Sequence, residues 1–207
     1  LRRDPELPTS VAHPGGDHAP VAAMRPVRSD APVHFLRLGT MEERKMPLEI
    51  LRAFREARRD DIDARLTYVG GRSSSYEWIN SEVEEASCEG SGFVWISDAS
   101  DADVARLIDE CDVLVSFGTE GYGIPALEAI RRGKPVLFGG IQPAAQLMEG
   151  RGSAKVGDPT VDSIKTAFVE YSRIDQLLRL RRSCEPAAIP TWREFARSVV
   201  EGIMRTG

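Results

Sequence analysis

VLVSFGTEGYGIPALEAIRRG, residues 113–133, is the most informative segment of this chain. Its first three residues, Val113–Val115, are apolar and mostly β-branched, which predicts a buried strand of a parallel sheet. A glycine-rich turn follows at Gly118–Gly123, and Pro125 then suits the first turn of a helix, where its missing N–H is no loss. Gly133 is placed to close that helix in the left-handed conformation. The segment therefore predicts a strand, a tight turn and a helix in direct succession.

The turn between this strand and this helix has the character of an anion site. Unpaired N–H groups at a helix N-terminus and the helix dipole both favour a ligand such as phosphate. Glu120 lies in the turn, and Glu128 lies in the helix among apolar neighbours, where a carboxylate needs hydrogen-bond donors. The simpler alternatives are a helix-start anion for Glu120 and a surface acid for Glu128. An anion site between two acids fits a nucleotide sugar, which has phosphates in the middle and hydroxyls at both ends.

Length and composition exclude several other classes of protein. The 207 residues are enough for one domain with a sizeable core, and the net charge of −5 gives no sign of nucleic-acid binding. The three cysteines are far apart and lack partners at metal-ligand spacing, which favours a reducing cytoplasm. No apolar run reaches transmembrane length, and no signal-peptide pattern is evident. Because the chain starts at Leu1 without a methionine, we expect it to be cut from a longer protein.

Residues 1–32 are rich in Pro, Gly and charge, which predicts a linker or edge segment in front of the domain. His13, Asp17 and His18 in this segment could suggest a metal site. A polar turn around residues 14–16 explains them better, because no additional ligand lies nearby.

From Val33 onward, strand and helix patterns alternate. Strands are predicted at residues 33–39, 64–71, 92–98, from 113, at 134–139 and at 154–156. Helices are predicted from Pro47, over residues 76–86, and after residues 100, 123, 160 and 191, where Ser100 with Asp103 and Thr191 with Glu194 form capping boxes. This alternation predicts an α/β fold over residues 33–207, with a doubly wound, Rossmann-like parallel sheet.

A doubly wound sheet binds its ligands beyond the carboxyl ends of its strands. The loops that follow the strands are therefore the candidate site. The first of them carries Arg44 and Lys45 just before a helix, where basic residues oppose the dipole at a cost of up to about 1 kcal/mol. The alternative is a solvated helix start, but contact with a diphosphate, which Arg can bind bidentately, explains this placement better.

Two further patterns suggest ligands that the rest of the sequence does not support. Gly121–Ala126 loosely matches the dinucleotide fingerprint, but the next strand ends in Leu137–Gly140 without the acid that would hold a ribose. This argues against a nicotinamide-linked oxidoreductase. Asp101 and Asp103 resemble an acidic metal-binding triplet but are better explained as first-turn acids of a helix. We therefore predict that no metal is required.

Taken together, these motifs resemble the retaining family 4 glycosyltransferases of the GT-B fold. EGYGIPALEA, from Glu120, is similar to their signature of two glutamates with seven residues between them. GTMEERK, from Gly39, resembles the phosphate loop of the mannosyl- and rhamnosyltransferase-like members. VWISDASDADVARLIDECDVLV, from Val94, resembles their third strand and its helix, and TWREFARSVVEGI, from Thr191, their closing helix.

In that family two Rossmann-like domains face each other, and this chain resembles the C-terminal, donor-binding one, so the acceptor domain is expected before Leu1. The resemblance implies that Glu120 is the catalytic residue, which holds donor-sugar hydroxyls near the reacting carbon, and that Glu128 holds the ribose. Arg44 and Lys45 would bind the diphosphate. The other donor-binding candidates are Thr40, Gly71, Ile96, Ser97, Gly121, Tyr122, Gly123 and Ile124.

Two of these candidates, Gly123 and Ile124, would offer backbone N–H groups, and Trp95–Asp98 would line the base. Thr40 stands where many relatives have Arg, and Gln146 stands near a position where relatives often have glutamate. These departures concern the identity of the donor more than the fold.

The resemblance implies transfer of a hexose with retained anomeric configuration and without a metal or other cofactor. GDP-mannose is favoured as donor over UDP-sugars, and the acceptor would be a glycan or a lipid-linked molecule reached through the other domain. The alternative is a GT-B-like nucleotide-binding or scaffold module without transferase activity. The basic residues 173–182 suit a solvated helix face, with peripheral membrane contact as the alternative. We expect the isolated fragment to be inactive.

Overall fold

The computed structural model describes residues 12–17, 30–89 and 92–204. Its six strands are β1 (Val33–Leu38), β2 (Ala64–Val69), β3 (Phe93–Ile96), β4 (Val113–Thr119), β5 (Val136–Ile141) and β6 (Ser153–Lys155). They form one sheet in the order β3-β2-β1-β4-β5-β6, and every neighbouring pair is parallel. The doubly wound, Rossmann-like sheet predicted from the sequence is confirmed.

Helices cover both faces of this sheet. They are α1 (Pro47–Arg59), α2 (Glu77–Cys88), α3 (Asp101–Glu110), α4 (Ile124–Arg131), α5 (Ala145–Met148), α6 (Val161–Tyr171), α7 (Ile174–Arg182) and α8 (Trp192–Met204). Short 3-10 turns occupy Glu43–Lys45 and Pro186–Ala188. Buried residues of α1, α2, α6 and α7 form the core on one face, and those of α3, α4 and α5 form the core on the other.

The alternation of side chains along β1 shows how one strand serves both cores. Phe35 packs edge-on against Phe168 of α6, with ring centroids 4.8 Å apart, whereas Leu36 belongs to the core beneath α3 and α4. Both side chains are completely buried. The strand is therefore apolar on both faces, as expected for a central strand of a parallel sheet.

The order of the strands places a crevice between β1 and β4. β1 continues into α1 on one face of the sheet, and its neighbour β4 continues into α4 on the other. The loops after these two strands therefore diverge, which leaves space at their carboxyl ends. This is the switch point at which doubly wound sheets bind ligands, and it lies beside the predicted anion turn.

Local signals set the helix ends that the sequence predicts. Ser100 and Asp103 form a reciprocal capping box at α3, and Thr191 exchanges hydrogen bonds with Glu194 at α8. Gly133, just after α4, has a φ of +67°, the left-handed conformation expected of a helix-closing glycine. These contacts span three or four residues, and the sequence alone was sufficient to find them.

Two features of the helices were not expected. α5 has only four residues, too few for a periodic pattern, and was not predicted. α8 is helical as predicted, but none of its described side chains is buried: Ile203 is 66% exposed and Met204 is 77% exposed.

None of the described helices combines the length and the apolar character needed to cross a membrane.

The described part of the N-terminal segment, residues 12–17, packs against the domain. Gly15 and Gly16 are buried, and the N–H of Gly16 donates to the carbonyl of Pro190 over 3.0 Å. Asp17 accepts a hydrogen bond of 2.6 Å from the N–H of Trp192, the first residue of α8. His18, which the sequence analysis considered with His13 and Asp17 as a metal ligand, lies outside the described residues.

Candidate functional site

The base of the crevice is made of backbone atoms, because glycines stand where strands end. A Cβ atom on Gly70, after β2, would lie 2.1 Å from the carbonyl oxygen of Gly39, after β1. A Cβ on Gly118, in β4, would lie 2.2 Å from the carbonyl oxygen of Arg44. The φ angles of Gly70 and Gly118 are +153° and +89°, a region that other residues rarely adopt. The loops after β1, β2 and β4 therefore approach each other at main-chain distance.

Arg44 links the loop after β1 to the end of β4. Its Nη1 donates to the carbonyl oxygen of Thr119 over 2.6 Å, and its Nε donates to the carboxylate of Glu42 over 2.7 Å. The side chain remains 45% exposed. The guanidinium thus lies at the edge of the crevice.

Lys45 and Glu120 form the central charged pair of the site. The Nζ atom of Lys45 lies 3.7 Å from Oε2 of Glu120, and each side chain is 14% exposed. The N–H of Glu120 donates to the carbonyl of Ile141 in β5 over 3.0 Å, which fixes the start of the turn. Two residues 75 positions apart in the sequence therefore place a cation and a carboxylate side by side at the crevice. Together they offer one group for phosphate oxygens and one for hydroxyls.

Thr40 takes part in the same loop through its side chain. Its hydroxyl donates to the carboxylate of Glu42. This hydrogen bond is the largest cause that lowers the pKa of Glu42, and the charges of Arg44 and Lys45 lower it further. Glu42 therefore stays ionised at neutral pH and holds Arg44 in place. The hydroxyl of Thr40 is already engaged, which leaves its backbone N–H as the group available to a ligand.

The turn that follows β4 presents N–H groups at the start of α4. Gly123 has a φ of +102° and caps the helix without a side-chain hydrogen bond. Among the described residues, no acceptor is bonded to the N–H of Gly123 or of Ile124. Gly121 is open, with nothing within 4 Å of a Cβ built on it. These amides and the dipole of α4 point out of the turn in which the sequence predicts an anion site.

Tyr122 is held from two sides within this turn. Its carbonyl accepts from the N–H of Ala144 over 2.9 Å, and its hydroxyl lies 2.7 Å from Nδ1 of His13. The Nε2 atom of His13 is 3.5 Å from the side-chain amide nitrogen of Gln146 on α5. Sequence reasoning did not find the role of His13, because no local pattern indicates a contact over more than a hundred residues.

Glu128 lies on α4 and lines a groove between α3 and α4. The cavity has a volume of about 410 Å³ and is lined by Asp101, Val104, Ile124, Pro125, Glu128 and Arg132, among others. Its upper end, at Asp101 and Ile124, lies at the carboxyl edge of the sheet. Glu128 is half-buried, as the apolar neighbours predicted. Glu120 and Glu128 therefore occupy different compartments, one at the crevice and one in the groove.

The loops after β2 and β3 are tied together by backbone contacts. The N–H of Gly70 donates to the carbonyl of Ile96, and the N–H of Met41 donates to the carbonyl of Gly71. The indole nitrogen of Trp95 donates to the carbonyl of Gly70 over 2.9 Å. Ser97 is exposed just beyond them. The structure thus brings Gly71, Ile96 and Ser97 to the carboxyl edge, beside the loop that holds Thr40.

The described residues contain no group of three or more His, Cys, Asp or Glu side chains arranged to hold a metal ion. Of the acids weighed as a metal triplet, Asp103 caps α3 through Ser100 and also pairs with Arg106 over 3.3 Å. Its pKa is lowered chiefly by the hydrogen bond from Ser100 and then by Arg106. Asp103 therefore has a structural role at the start of the helix.

A buried arginine is the second residue that sequence reasoning missed. Arg37 lies within β1 and is 2% exposed. Its guanidinium donates to the carbonyl of Gly39 over 2.8 Å and to that of Thr40 over 3.1 Å. The signal was present as a single charged residue inside the apolar run VHFLRL. Arg37 thus lies directly beneath the loop that carries Thr40.

Comparison with known proteins gives the family of this site. Residues 32–171 match the family described as Glycosyl transferases group 1. The serotype-specific mannosyltransferase WbdA of Escherichia coli is 29% identical over 130 residues, which cover 62% of this chain and 15% of the relative. The chain thus spans a small fraction of the length of that relative.

Solved structures share the fold at low sequence identity. Anabaena Alr3699/HepE, crystallised in complex with UDP and glucose, has a TM-score of 0.72 at 13% identity, over 84% of this chain and 48% of that chain. The same protein in complex with UDP-glucose gives a TM-score of 0.71 at 14% identity, over 84% of this chain and 49% of that chain. The likeness therefore extends over about half of each solved chain. By its family match, the chain belongs to the Glycosyl transferases group 1 family.

Proposed function

We propose that this chain is the C-terminal, donor-binding domain of a retaining family 4 glycosyltransferase of the GT-B fold. The donor is a nucleotide hexose, with GDP-mannose ahead of UDP-sugars, and the acceptor is a glycan or a lipid-linked molecule held by a second domain. The observation that carries the proposal is the pair of Lys45 and Glu120, 3.7 Å apart, beside the free amides of the α4 turn. Such a pair suits a diphosphate joined to a sugar.

The names of the relatives support a nucleotide-hexose donor. WbdA is a mannosyltransferase, which favours mannose, whereas the HepE structures contain UDP with glucose or UDP-glucose, which fits the second choice, a UDP-sugar. The loop GTMEERK carries the cations that such donors require. The three free cysteines are consistent with action in the reducing cytoplasm.

In the proposed reaction, the bond between the anomeric carbon and the diphosphate oxygen breaks, and the leaving nucleoside diphosphate takes the electron pair. An acceptor oxygen forms the new bond on the same face of the sugar, and its proton passes to the departing diphosphate oxygen. Lys45, Arg44 and the N–H groups of Gly123 and Ile124 stabilise the charge that develops on the diphosphate. These groups are already fixed before the donor arrives, so little reorganisation is needed as the charge develops.

The two glutamates act at different ends of the donor. Glu120 lies beside Lys45 and accepts hydrogen bonds from the sugar hydroxyls near the reacting carbon. Glu128 faces the groove between α3 and α4 and accepts from the ribose hydroxyls. The groove volume of about 410 Å³ is sufficient for a nucleoside. The segment Trp95–Asp98 borders the nucleotide base.

The test is isothermal titration calorimetry of the 207-residue chain with GDP, UDP and ADP. We expect binding in the micromolar to millimolar range, tightest for GDP, and the same affinity in the presence of EDTA. The absence of binding by all three nucleotides at millimolar concentration would overturn the proposal. A loss of affinity with EDTA would instead show that a metal belongs to the site.

A further inference from the structure

Arg37 is a buried cation without a carboxylate partner in the described part of the chain. It is 2% exposed, and no Asp or Glu oxygen of the described residues lies within ion-pair distance of it. Its guanidinium stacks over the ring of Tyr68, 4.9 Å from the centroid. A buried charge without a counterion is costly, so a structural role alone explains this residue poorly.

The negative charges that act on Arg37 belong to the candidate site. Burial lowers the pKa of Arg37, whereas the charges of Glu120 and Glu42 are among the influences that raise it. Both carboxylates are engaged elsewhere: Glu120 lies beside Lys45, and Glu42 lies beside Arg44. The crevice above Arg37 therefore retains a positive charge that a bound anion would balance.

The hydrogen bonds of Arg37 also fix the orientation of one peptide group. Nη1 binds the carbonyl oxygen of Gly39, and in a trans peptide the N–H of the next residue points the opposite way. That N–H belongs to Thr40. The N–H groups on either side are occupied, since Gly39 donates to Val69 and Met41 donates to Gly71.

The N–H of Thr40 has no acceptor among the described residues. It lies between two occupied amides, and it points away from the guanidinium that holds its peptide. Arg37 thus combines two effects on the same loop: a fixed amide donor and a low-dielectric positive charge.

We propose that Arg37 is a positioning residue for the donor diphosphate. Arg37 holds the Gly39–Thr40 peptide so that the Thr40 N–H binds a phosphate oxygen, and its own buried positive charge lies beneath that oxygen. This inference rests on the proposed function, since it presumes a diphosphate in the crevice. Arg37 does not touch the donor itself. Its effect passes through the Gly39–Thr40 peptide and through its electrostatic field.

The experiment measures the affinities of GDP and guanosine for the 207-residue chain and for its Arg37→Met variant. GDP is measured by calorimetry and guanosine by NMR shift titration. We expect Arg37→Met to weaken the affinity for GDP about tenfold or more, because one charge-assisted contact is lost. The affinity for guanosine, which lacks phosphate, should change less than about threefold. The midpoint of urea unfolding should change little, because removing a buried charge offsets the loss of the hydrogen bonds to the carbonyls of Gly39 and Thr40.

Two further variants keep the test decisive. Arg58→Met is the matched control, because Arg58 also donates to two carbonyls, those of Ile62 and Ala64, but away from the crevice. It should leave GDP affinity unchanged. Arg37→Lys keeps the charge but not the paired hydrogen bonds, and it should give a GDP affinity between those of the wild type and Arg37→Met.

The outcomes separate the two proposals. If the wild type binds no nucleoside diphosphate, the proposed function fails and this inference fails with it. If the wild type binds GDP and Arg37→Met binds it equally well, only this inference is overturned. Equal losses for GDP and guanosine would also overturn it, because they indicate a merely structural role. If Arg37→Met does not fold, the same comparison of GDP with guanosine on Arg37→Lys decides.

Discussion

The hydroxyl of Tyr122 lies 2.7 Å from Nδ1 of His13, although 109 positions separate the two residues. Four residues after His13, Asp17 accepts a hydrogen bond from the N–H of Trp192 at the start of α8. The segment at residues 12–17 therefore contacts both the α4 turn and the last helix. A stretch predicted as linker or edge structure thus helps to hold the candidate site.

Tyr122→Phe should weaken GDP binding by about 1 kcal/mol, the net value of one hydrogen bond, because the turn loses its tie to His13. Calorimetry on the purified variant measures this directly. Tyr171→Phe is the control, since Tyr171 lies in α6 on the other face of the sheet and should not alter GDP affinity. Unchanged affinity of Tyr122→Phe would show that the turn keeps its shape without His13.

Glu120→Gln should separate donor binding from transfer. The substitution removes a negative charge beside Lys45, so GDP affinity should be equal or higher. Transfer by the full-length protein should fall by a factor of about 100 or more, the usual effect of losing one preorganised polar group. Glu149→Gln, at an exposed ion pair with Lys155, serves as the control. Undiminished transfer by the full-length Glu120→Gln protein would favour the alternative, in which this domain is a module without transferase activity and the transfer takes place elsewhere in the protein.

Gly118→Ala should disrupt the crevice. Its Cβ would lie 2.2 Å from the carbonyl oxygen of Arg44, at a φ of +89° that alanine avoids. We expect the free energy of unfolding to fall by about 2 kcal/mol or more, from backbone strain and overpacking. GDP binding should be lost as well, because the loop with Arg44 and Lys45 must shift. Gly157→Ala, with nothing within 4 Å of the added Cβ, should be tolerated in both urea unfolding and calorimetry.

His34 should make folding stability depend on pH. It is 2% exposed, and burial, followed by the charge of Arg65, lowers its pKa from 6.5 to about 4. The unfolded chain therefore binds a proton more readily than the native state, so stability is complete above pH 6.5 and falls as the pH decreases toward 4. A pKa shift of this size corresponds to at most about 3 kcal/mol in the free energy of unfolding.

The measurement is urea unfolding at pH 7.5, 5.5 and 4.5 for the wild type and for His34→Gln. His34→Gln keeps a polar partner for Thr67, whose hydroxyl lies 2.9 Å from Nε2 of His34, but it cannot titrate. The loss of stability between pH 7.5 and 4.5 should therefore be smaller in the variant. Equal losses in both proteins would assign the acid sensitivity to groups other than the His34 side chain.

The sequence was sufficient for the parts of the structure that depend on near neighbours. Ser100 and Asp103 are three positions apart, so the capping box could be read directly, as could the left-handed Gly133. The alternation of strands and helices fixed the sheet class and therefore the edge at which Thr40, Lys45 and Glu120 meet.

The rest depended on contacts between distant segments. The hydrogen bond of Tyr122 to His13 and the contacts of Arg37 under its loop follow from the packed fold, not from any local spacing. The apolar pattern of α8 predicted its helix correctly but not its exposure, because periodicity identifies an apolar face and does not identify what covers it.

The glycines at the strand ends have a consequence for how this site can be changed. At Gly70 and Gly118 the neighbouring loops touch through main-chain atoms, so the geometry of the base of the crevice does not depend on which side chains surround it. Under the proposed function, the specificity for nucleotide and sugar is set by the groups above that floor, including Glu120, Glu128 and the residues of the groove. These side chains can then be varied to select a new donor while the main-chain floor beneath them keeps its shape.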